Sequence, residues 1–332
     1  MIAQFNRRGF LASAMALALT ACDAGEGASL RASLAAAPNP DSNGVWIWLR
    51  ACLESLRQAG VTMNLSANGA LGREEDRTEM TGLGLIQIND SSISEATALS
   101  DLYVAAQLPF LFEDLEAFDR LFSNAAFMST VNADLRRAGV RLIDAAFLGG
   151  MSGIFTSRQP VRTLSDMKGL RLRAMDRRDL LLIESFGASG VQVAWEETPQ
   201  ALQTGIASGY LNPPLAPVLF GHGAYLRYFT DLRVAPAHRL IMVSAKWFES
   251  LDSEARIAVE ASFEAGREAN RAWSKARFES DIESLEEYGI EIITPTEEAR
   301  AAFKARAREA YRAYAPPQVI EKALALAGEA AS

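Results

Sequence analysis

Cysteine and histidine are scarce in this chain, with two of each in 332 residues. No Cys-x-x-Cys pair and no His-Glu-x-x-His run occurs, so the residues offer no metal-ligand spacing and no metal or other cofactor is expected. Cys22 lies near the N-terminus and Cys52 inside a helical pattern. A nucleophilic pair of Cys52 with His222 or His238 is the thiol chemistry that remains, set against the commoner use of a helical cysteine as a small core residue. Walker-type and dinucleotide phosphate loops are missing, as is a Gly-x-Ser-x-Gly elbow. Basic excess is missing too. Lys and Arg number 33 against 41 Asp and Glu, a net charge of −8, which excludes nucleic acid as a partner because phosphate neutralisation needs clustered cations. No apolar run reaches the roughly 20 residues that a membrane-spanning helix requires.

What is present is a chain with 49% hydrophobic residues, long enough for about two domains. It opens with an address. Arg7-Arg8-Gly9-Phe10-Leu11 precedes a short Ala-rich apolar run ending at Ala21, the layout of an export signal. The paired arginines resemble a twin-arginine signal, although Ala12 stands where a polar residue is usual. Leu19-Thr20-Ala21-Cys22 resembles a bacterial lipobox, which predicts lipidation at Cys22 after removal of residues 1–21. The alternative is a plain secretory signal that happens to contain a cysteine. Residues 23–28 are small and polar and read as a tether.

The folded part alternates strand and helix signals, which predicts an α/β fold with largely parallel sheets. Strands are expected over 30–36, 61–65, 84–88, 140–147, 170–175, 191–195, 239–244 and 290–293. Helices are expected over 45–59, 73–80, 115–122, 126–138 and 178–186, with another opened by Thr198-Pro199 and ended by Gly209. Thr163 with Asp166 and Thr296 following Thr294-Pro295 mark further helix starts. Residues 253–288 form one helical pattern far longer than the usual 11 or so residues. Gly149-Gly150-Met151-Ser152-Gly153 reads as a flexible crossing between two units.

Several side chains can carry binding chemistry. Arg171 and Arg173 alternate with leucines on one predicted strand, and Arg173 sits near its C-terminal end, where open parallel sheets bind ligands. A guanidinium grips a carboxylate through two parallel hydrogen bonds; a solvated edge arginine is the competing reading. Asn212, placed after a helix end and before Pro213-Pro214, can orient an oxygen-rich ligand or simply serve a turn. Trp195 can wall a pocket or pack in the core. Glu196 and Glu197 are adjacent and diverge, so they do not form a glycosidase pair. Asn68 opens the turn-rich Asn68-Gly69-Ala70-Leu71-Gly72 loop and joins the candidate site residues.

At these residues the chain resembles the periplasmic binding subunit of tripartite ATP-independent periplasmic (TRAP) transporters, the dicarboxylate-binding protein family. The resemblance runs through Pro160-Val161-Arg162-Thr163-Leu164-Ser165-Asp166-Met167-Lys168-Gly169-Leu170-Arg171-Leu172-Arg173, then Ala201-Leu202-Gln203-Thr204-Gly205 and Leu211-Asn212-Pro213-Pro214. Gly69-Ala70-Leu71-Gly72, Leu108-Pro109-Phe110-Leu111-Phe112 and Lys246-Trp247-Phe248-Glu249-Ser250-Leu251 also match, in the right order. The resemblance implies a two-lobed fold with hinge strands and a long helix spanning both lobes. Lobe I would take 29–147 with a return segment near 234–262, and lobe II would take 148–233 with the C-terminal helices near 263–332. It implies that Arg173 holds a carboxylate, that Asn212 contacts the ligand, that Glu197 lies near the site, and that membrane subunits of a transporter are the partners.

Two departures stand out. Ser152 occupies the place of a second binding arginine, and Ser208-Gly209-Tyr210-Leu211-Asn212 replaces the family's Asp-Gly-Gln-Glu-Asn. With Tyr210 and Trp195 nearby, they point away from succinate and toward a less polar monocarboxylate. The expected activity is binding without chemistry. A lipid-anchored sensor subunit that docks on a receptor is the alternative, and an extracytoplasmic enzyme a more distant one.

Overall fold

The computed structural model describes residues 30–331; the export segment, Cys22 and the tether lie outside them. In chain order the elements are β1 (Arg31–Ser33), α1 (Gly44–Gln58), β2 (Asn64–Ser66), α2 (Glu74–Gly82), β3 (Ile88–Ser91), α3 (Ile93–Leu99), α4 (Leu115–Ser123), α5 (Ala125–Leu135), β4 (Val140–Met151) and β5 (Gly153–Thr156). There follow β6 (Arg171–Ala174), α6 (Arg177–Ser185), β7 (Ser189–Gln192), α7 (Thr198–Thr204), β8 (Gly209–Asn212), α8 (Leu215–Leu219), β9 (Tyr228–Thr230) and β10 (Pro236–Ser244). The C-terminal part holds α9 (Ala245–Ser250), α10 (Ser253–Glu287), β11 (Glu291–Ile293), α11 (Glu297–Ala310) and α12 (Pro317–Ala331).

Two sheets result, ordered β2-β1-β3-β10-β4 and β11-β9-β5-β8-β6-β7. Within each, the strands followed by helices run parallel: β1 with β2 and β3, β6 with β7 and β8. The antiparallel strands are those that cross between the sheets. β4 pairs with β10 in the first sheet, and β5, starting two residues after β4 ends, pairs with β8 and β9 in the second. The two crossings lie side by side, because the Ser152 N–H donates to the Ala235 carbonyl at 2.8 Å and the Val234 N–H donates to the Ser152 carbonyl at 2.8 Å. The glycine-rich stretch is therefore a hinge strand. This architecture is the two-lobed α/β fold that the sequence predicts.

α10 joins the lobes from outside. Its 35 residues run about 52 Å at 1.5 Å each. Ala255, Val259 and Phe263 pack in the first lobe's core, Leu285 in the second's. Midway, the Asn270 amide donates to the Gly44 and Phe147 carbonyls while its oxygen accepts the Phe147 N–H. Arg271 grips the buried Asp144 on β4 and pairs with Asp119. The Trp48 indole N–H donates to the same Asp144 at 2.8 Å. A buried charge is tolerable only when its lone pairs are filled in this way.

Some elements sit elsewhere than the sequence pattern predicts. The strand expected at 84–88 begins at Ile88, because α2 runs on to Gly82 and Gly84 takes φ +81 to leave it. The helix opened by Thr198 stops at Thr204, with Gly205 as a left-handed cap at φ +75. Gly209 to Asn212 is then a strand, so Asn212 ends β8 and does not follow a helix. α12, grouped by the sequence division with the second lobe, packs instead on the first: Ile320, Ala323, Leu326 and Ala327 join the core built from α4, α5 and β4.

Candidate functional site

The strand ladders decide what the second lobe gathers at its edge. β6, β7 and β8 are parallel, so their C-terminal ends share one edge. Asn212, at the end of β8, pairs with Gly153, the first residue past the crossing; this edge therefore faces the hinge. In the first sheet Leu240 pairs with Ser91 at the end of β3, and Pro236 with Met151, so the C-terminal ends of its parallel strands face the hinge as well. Two carboxyl edges oppose each other across the crossings, which is where α/β sheets bind ligands.

Arg173 lies on the second edge, directly opposite Tyr210 on β8. Tyr210 and Asn212 are two residues apart and share that face. The Arg173 side chain is 7% exposed. Its Nε donates to the Val193 carbonyl at 3.0 Å, and its guanidinium carbon stands 5.3 Å from the centroid of the Trp195 ring, a cation–π distance. Arg171, on the same strand, is exposed. The alternation that made the two arginines look equivalent is broken at the strand end, where the loop after β7 folds over Arg173.

An aromatic group surrounds this arginine. Trp195 meets Phe220 edge-on at 4.8 Å and His222 at 5.1 Å, and Tyr210 lies 5.7 Å from His222. His222 Nδ1 and the Tyr210 hydroxyl are 3.3 Å apart. Tyr210 and His222 are both fully enclosed, at 0% and 2% exposure. Burial, helped by the positive charge of Arg173, lowers the His222 pKa to about 4, so the imidazole is neutral at pH 7. Burial likewise raises the Tyr210 phenol well above its ordinary value. The corner thus sets the permanent positive charge of Arg173 beside aromatic side chains and a neutral imidazole, with the carboxyl of Asp179 within its electrostatic reach.

The remaining candidates are spread out. Ser152 is half-buried in the hinge crossing next to Gly153, the partner of Asn212. Glu197 is exposed in the short 3-10 turn that begins at Trp195. Asn68 belongs to the opposite lobe, exposed after β2 with φ +56, a left-handed conformation that asparagine tolerates. Cys22 lies outside the described residues. The thiol reading fails on geometry: Cys52 is sealed in the first lobe's core, its pKa pushed far up by burial. His238 instead meets the Tyr103 hydroxyl at 2.9 Å, and His222 meets Tyr210.

Sequence reasoning missed two groups. His222 was considered only as a base for Cys52; its neighbourhood to Tyr210 depends on how the chain after α8 returns. Across the hinge, the first lobe's edge carries an ion network that no motif announces. Arg239 on β10 pairs with Asp90 on β3 and, at 2.7 Å, with Glu74 on α2. Glu74 also pairs with Arg77 at 2.9 Å, and Asp90 accepts the Ala35 N–H at 2.9 Å. Burial disfavours the charge on Arg239, yet Asp90 and Glu74 outweigh it and raise its pKa. No group of acidic, histidine and cysteine side chains able to hold a metal occurs among the described residues, and none of their helices is long and apolar enough to cross a membrane.

Comparison with known proteins places this geometry. The sequence profile of bacterial extracellular solute-binding protein family 7 (DctP) matches residues 35–317. The C4-dicarboxylate-binding periplasmic protein DctP of Vibrio cholerae is 29% identical over 222 residues, which is 63% of this chain and 64% of that protein. Among solved structures, a TRAP periplasmic solute-binding protein from Ochrobactrum anthropi, with its C-terminus bound in the ligand-binding pocket, superposes with a TM-score of 0.82 at 18% identity, covering 91% of this chain and 95% of that one. A TRAP solute-binding protein from Sulfitobacter with bound β-D-galacturonate superposes at 0.79 and 19% identity, covering 90% and 98%. With two lobes, hinge strands, a spanning helix and a profile match over most of its length, the chain belongs to the bacterial extracellular solute-binding protein family 7, the DctP-like binding proteins of TRAP transporters.

Proposed function

We propose that this protein captures a small organic acid outside the cytoplasm and delivers it to the membrane subunits of a TRAP transporter. Arg173 grips one carboxylate, Asn212 orients it, and the half-buried Trp195, backed by Tyr210, lies along the body of the ligand. The observation that carries this reading is the convergence of Arg173, Tyr210 and Asn212 on one face of the hinge-facing edge. The acids held by similar proteins support it, among them galacturonate in the Sulfitobacter protein and succinate in one from Shewanella oneidensis. Closure about the Ser152 crossing brings the first lobe's edge onto the bound acid, and the closed form docks on the transporter. The Arg7-Arg8 segment directs export, and a lipid on Cys22 retains the protein at the membrane.

A thermal-shift panel of organic acids tests the binding step, since a ligand that binds only the folded state raises the melting temperature by mass action. At least one acid is expected to stabilise the natural protein and to leave Arg173→Ala unmoved. Equal stabilisation of both proteins by the same acid defeats the assignment of Arg173.

A further inference from the structure

The two crossings at Ser152 have a third neighbour. Phe110 lies in the segment between α3 and α4, and its N–H donates to the Val234 carbonyl at 2.6 Å, while the Val234 N–H donates to the Ser152 carbonyl. This loop is thereby bonded to the hinge itself. Its side chains divide between the lobes. Leu108 and Phe112 belong to the first lobe's core, where Phe112 meets Phe118 of α4 edge-on at 5.2 Å. Phe110, between them, is 2% exposed in the second lobe's core and meets Phe186, just past α6, edge-on at 6.4 Å. The Tyr311 hydroxyl donates to the Pro109 carbonyl and ties the same loop to the C-terminal part of the chain.

The backbone is strained where this division is made. Among the described residues, three that are not glycine have positive φ: Asn68, Phe110 and Arg233. Asparagine tolerates that region, and bulky side chains do not. Phe110 at φ +57 and Arg233 at φ +53 stand at the two ends of one hydrogen bond, because Arg233 directly precedes Val234. Such dihedrals persist only where surrounding contacts over-determine them, and they gather at switch regions. The over-determining contact here is the Phe110 ring in the second lobe's core. Burial of a phenylalanine ring and the strain of one or two such dihedrals are of similar size and opposite sign.

We propose that the Leu108–Phe112 loop is a conformational device of the hinge: Phe110 pins the lobes in the arrangement of the structure, strain at Phe110 and Arg233 opposes the pin, and the near-balance leaves a second lobe angle within reach. This rests on the reading that the lobes turn about the Ser152 crossing. A ligand moves such an equilibrium only by its differential affinity for the two arrangements. A pin without the opposing strain would demand a larger difference from the ligand, and a hinge without the pin would hold no defined angle.

Electron–electron resonance distances between spin labels on Glu79→Cys of α2 and Lys168→Cys of the second lobe test the device, since both positions are exposed. Cys52 is sealed in the core, and Cys22→Ser removes the other thiol. With no acid added, Phe110→Ala should broaden the distance distribution and add distances absent from the natural protein. Phe110→Leu, which keeps an apolar pin, should restore most of the natural shape. Arg233→Gly should do the reverse and narrow the distribution onto the distance of the structure, because glycine adopts this dihedral without strain. Arg233→Ala loses the same surface pair with Asp231 but keeps the strain, and should not narrow it. A natural distribution in Phe110→Ala, or equal distributions in Arg233→Gly and Arg233→Ala, overturns the proposal; if Phe110→Ala does not fold, the Arg233 pair decides it. Closure is judged separately: distances in the natural protein unmoved by an acid that raises its melting temperature count against closure itself, whereas the variants judge the pin with no acid present.

Discussion

The two hinge-facing edges each carry an arginine on a strand, half-buried at Arg239 and buried at Arg173, and they surround it differently. Arg239, on the first edge, is clasped by the carboxylates of Asp90 and Glu74. Arg173, on the second, is supported by the Val193 carbonyl and the Trp195 ring, with Tyr210 and a neutral His222 beside it. The first arrangement turns a charge into scaffold. The second sets a guanidinium against an aromatic ring at the hinge-facing edge, where an arriving carboxylate meets it already oriented. Burial alone does not assign either arginine a role.

Breaking the first corner should have the largest effect. Asp90→Ala leaves Arg239 with one carboxylate fewer inside the protein and exposes the Ala35 N–H, and is expected to cost about 3–5 kcal/mol of stability, read as a lowered denaturant midpoint. A loss below about 1 kcal/mol, the range of surface pairs, would mean that Arg239 is not scaffold. On the second corner the effect should fall on binding. Asn212→Ala is expected to weaken the acid by about 1–2 kcal/mol, one hydrogen bond to a charged group, while the melting temperature of the empty protein stays within a degree or two. The exposed Arg171 supplies the control two residues from Arg173: Arg171→Ala should leave affinity unchanged.

A smaller effect concerns pH. His222 has a folded pKa of about 4 against an ordinary value of 6.5. Between those values an unfolded chain binds a proton at this imidazole that the folded chain refuses, so stability falls as pH drops from about 6.5 toward 4. The buried Asp179 works the other way, since burial raises its pKa to about 6 and the folded state takes up its proton first. The comparison of natural protein with His222→Gln isolates the histidine. The variant is expected to lose about 2 kcal/mol less between pH 7 and pH 5, and parallel curves for both proteins would show that the imidazole is not held neutral by its surroundings.

Much of the fold was legible because it is written in local chemistry. Thr163 with Asp166 forms the reciprocal cap that its spacing announces, Thr198-Pro199 opens a helix, and the charged 253–288 stretch is a single helix ending at Glu287. The return of Arg239 to Ser244 into the first sheet was legible as weak alternation. What stayed hidden depends on partners distant in sequence. Gly209 to Asn212 is a strand only because β5 and β6 flank it. Arg171 and Arg173 are identical to any local rule, yet one is exposed and the other enclosed by the Trp195 loop. His222 acquires meaning from Tyr210. The motifs mark Arg173 and Asn212, which share one hinge-facing edge, and leave unmarked the contacts made between distant segments.

The central claim is that Arg173 holds the carboxylate of an organic acid. Mass spectrometry of small molecules released on denaturing the purified natural protein and Arg173→Ala, made side by side in the same host, tests it directly. An organic acid released in near-stoichiometric amount from the natural protein and absent from the variant is the predicted result. The same acid recovered equally from both, or a released ligand with no acidic group, contradicts it.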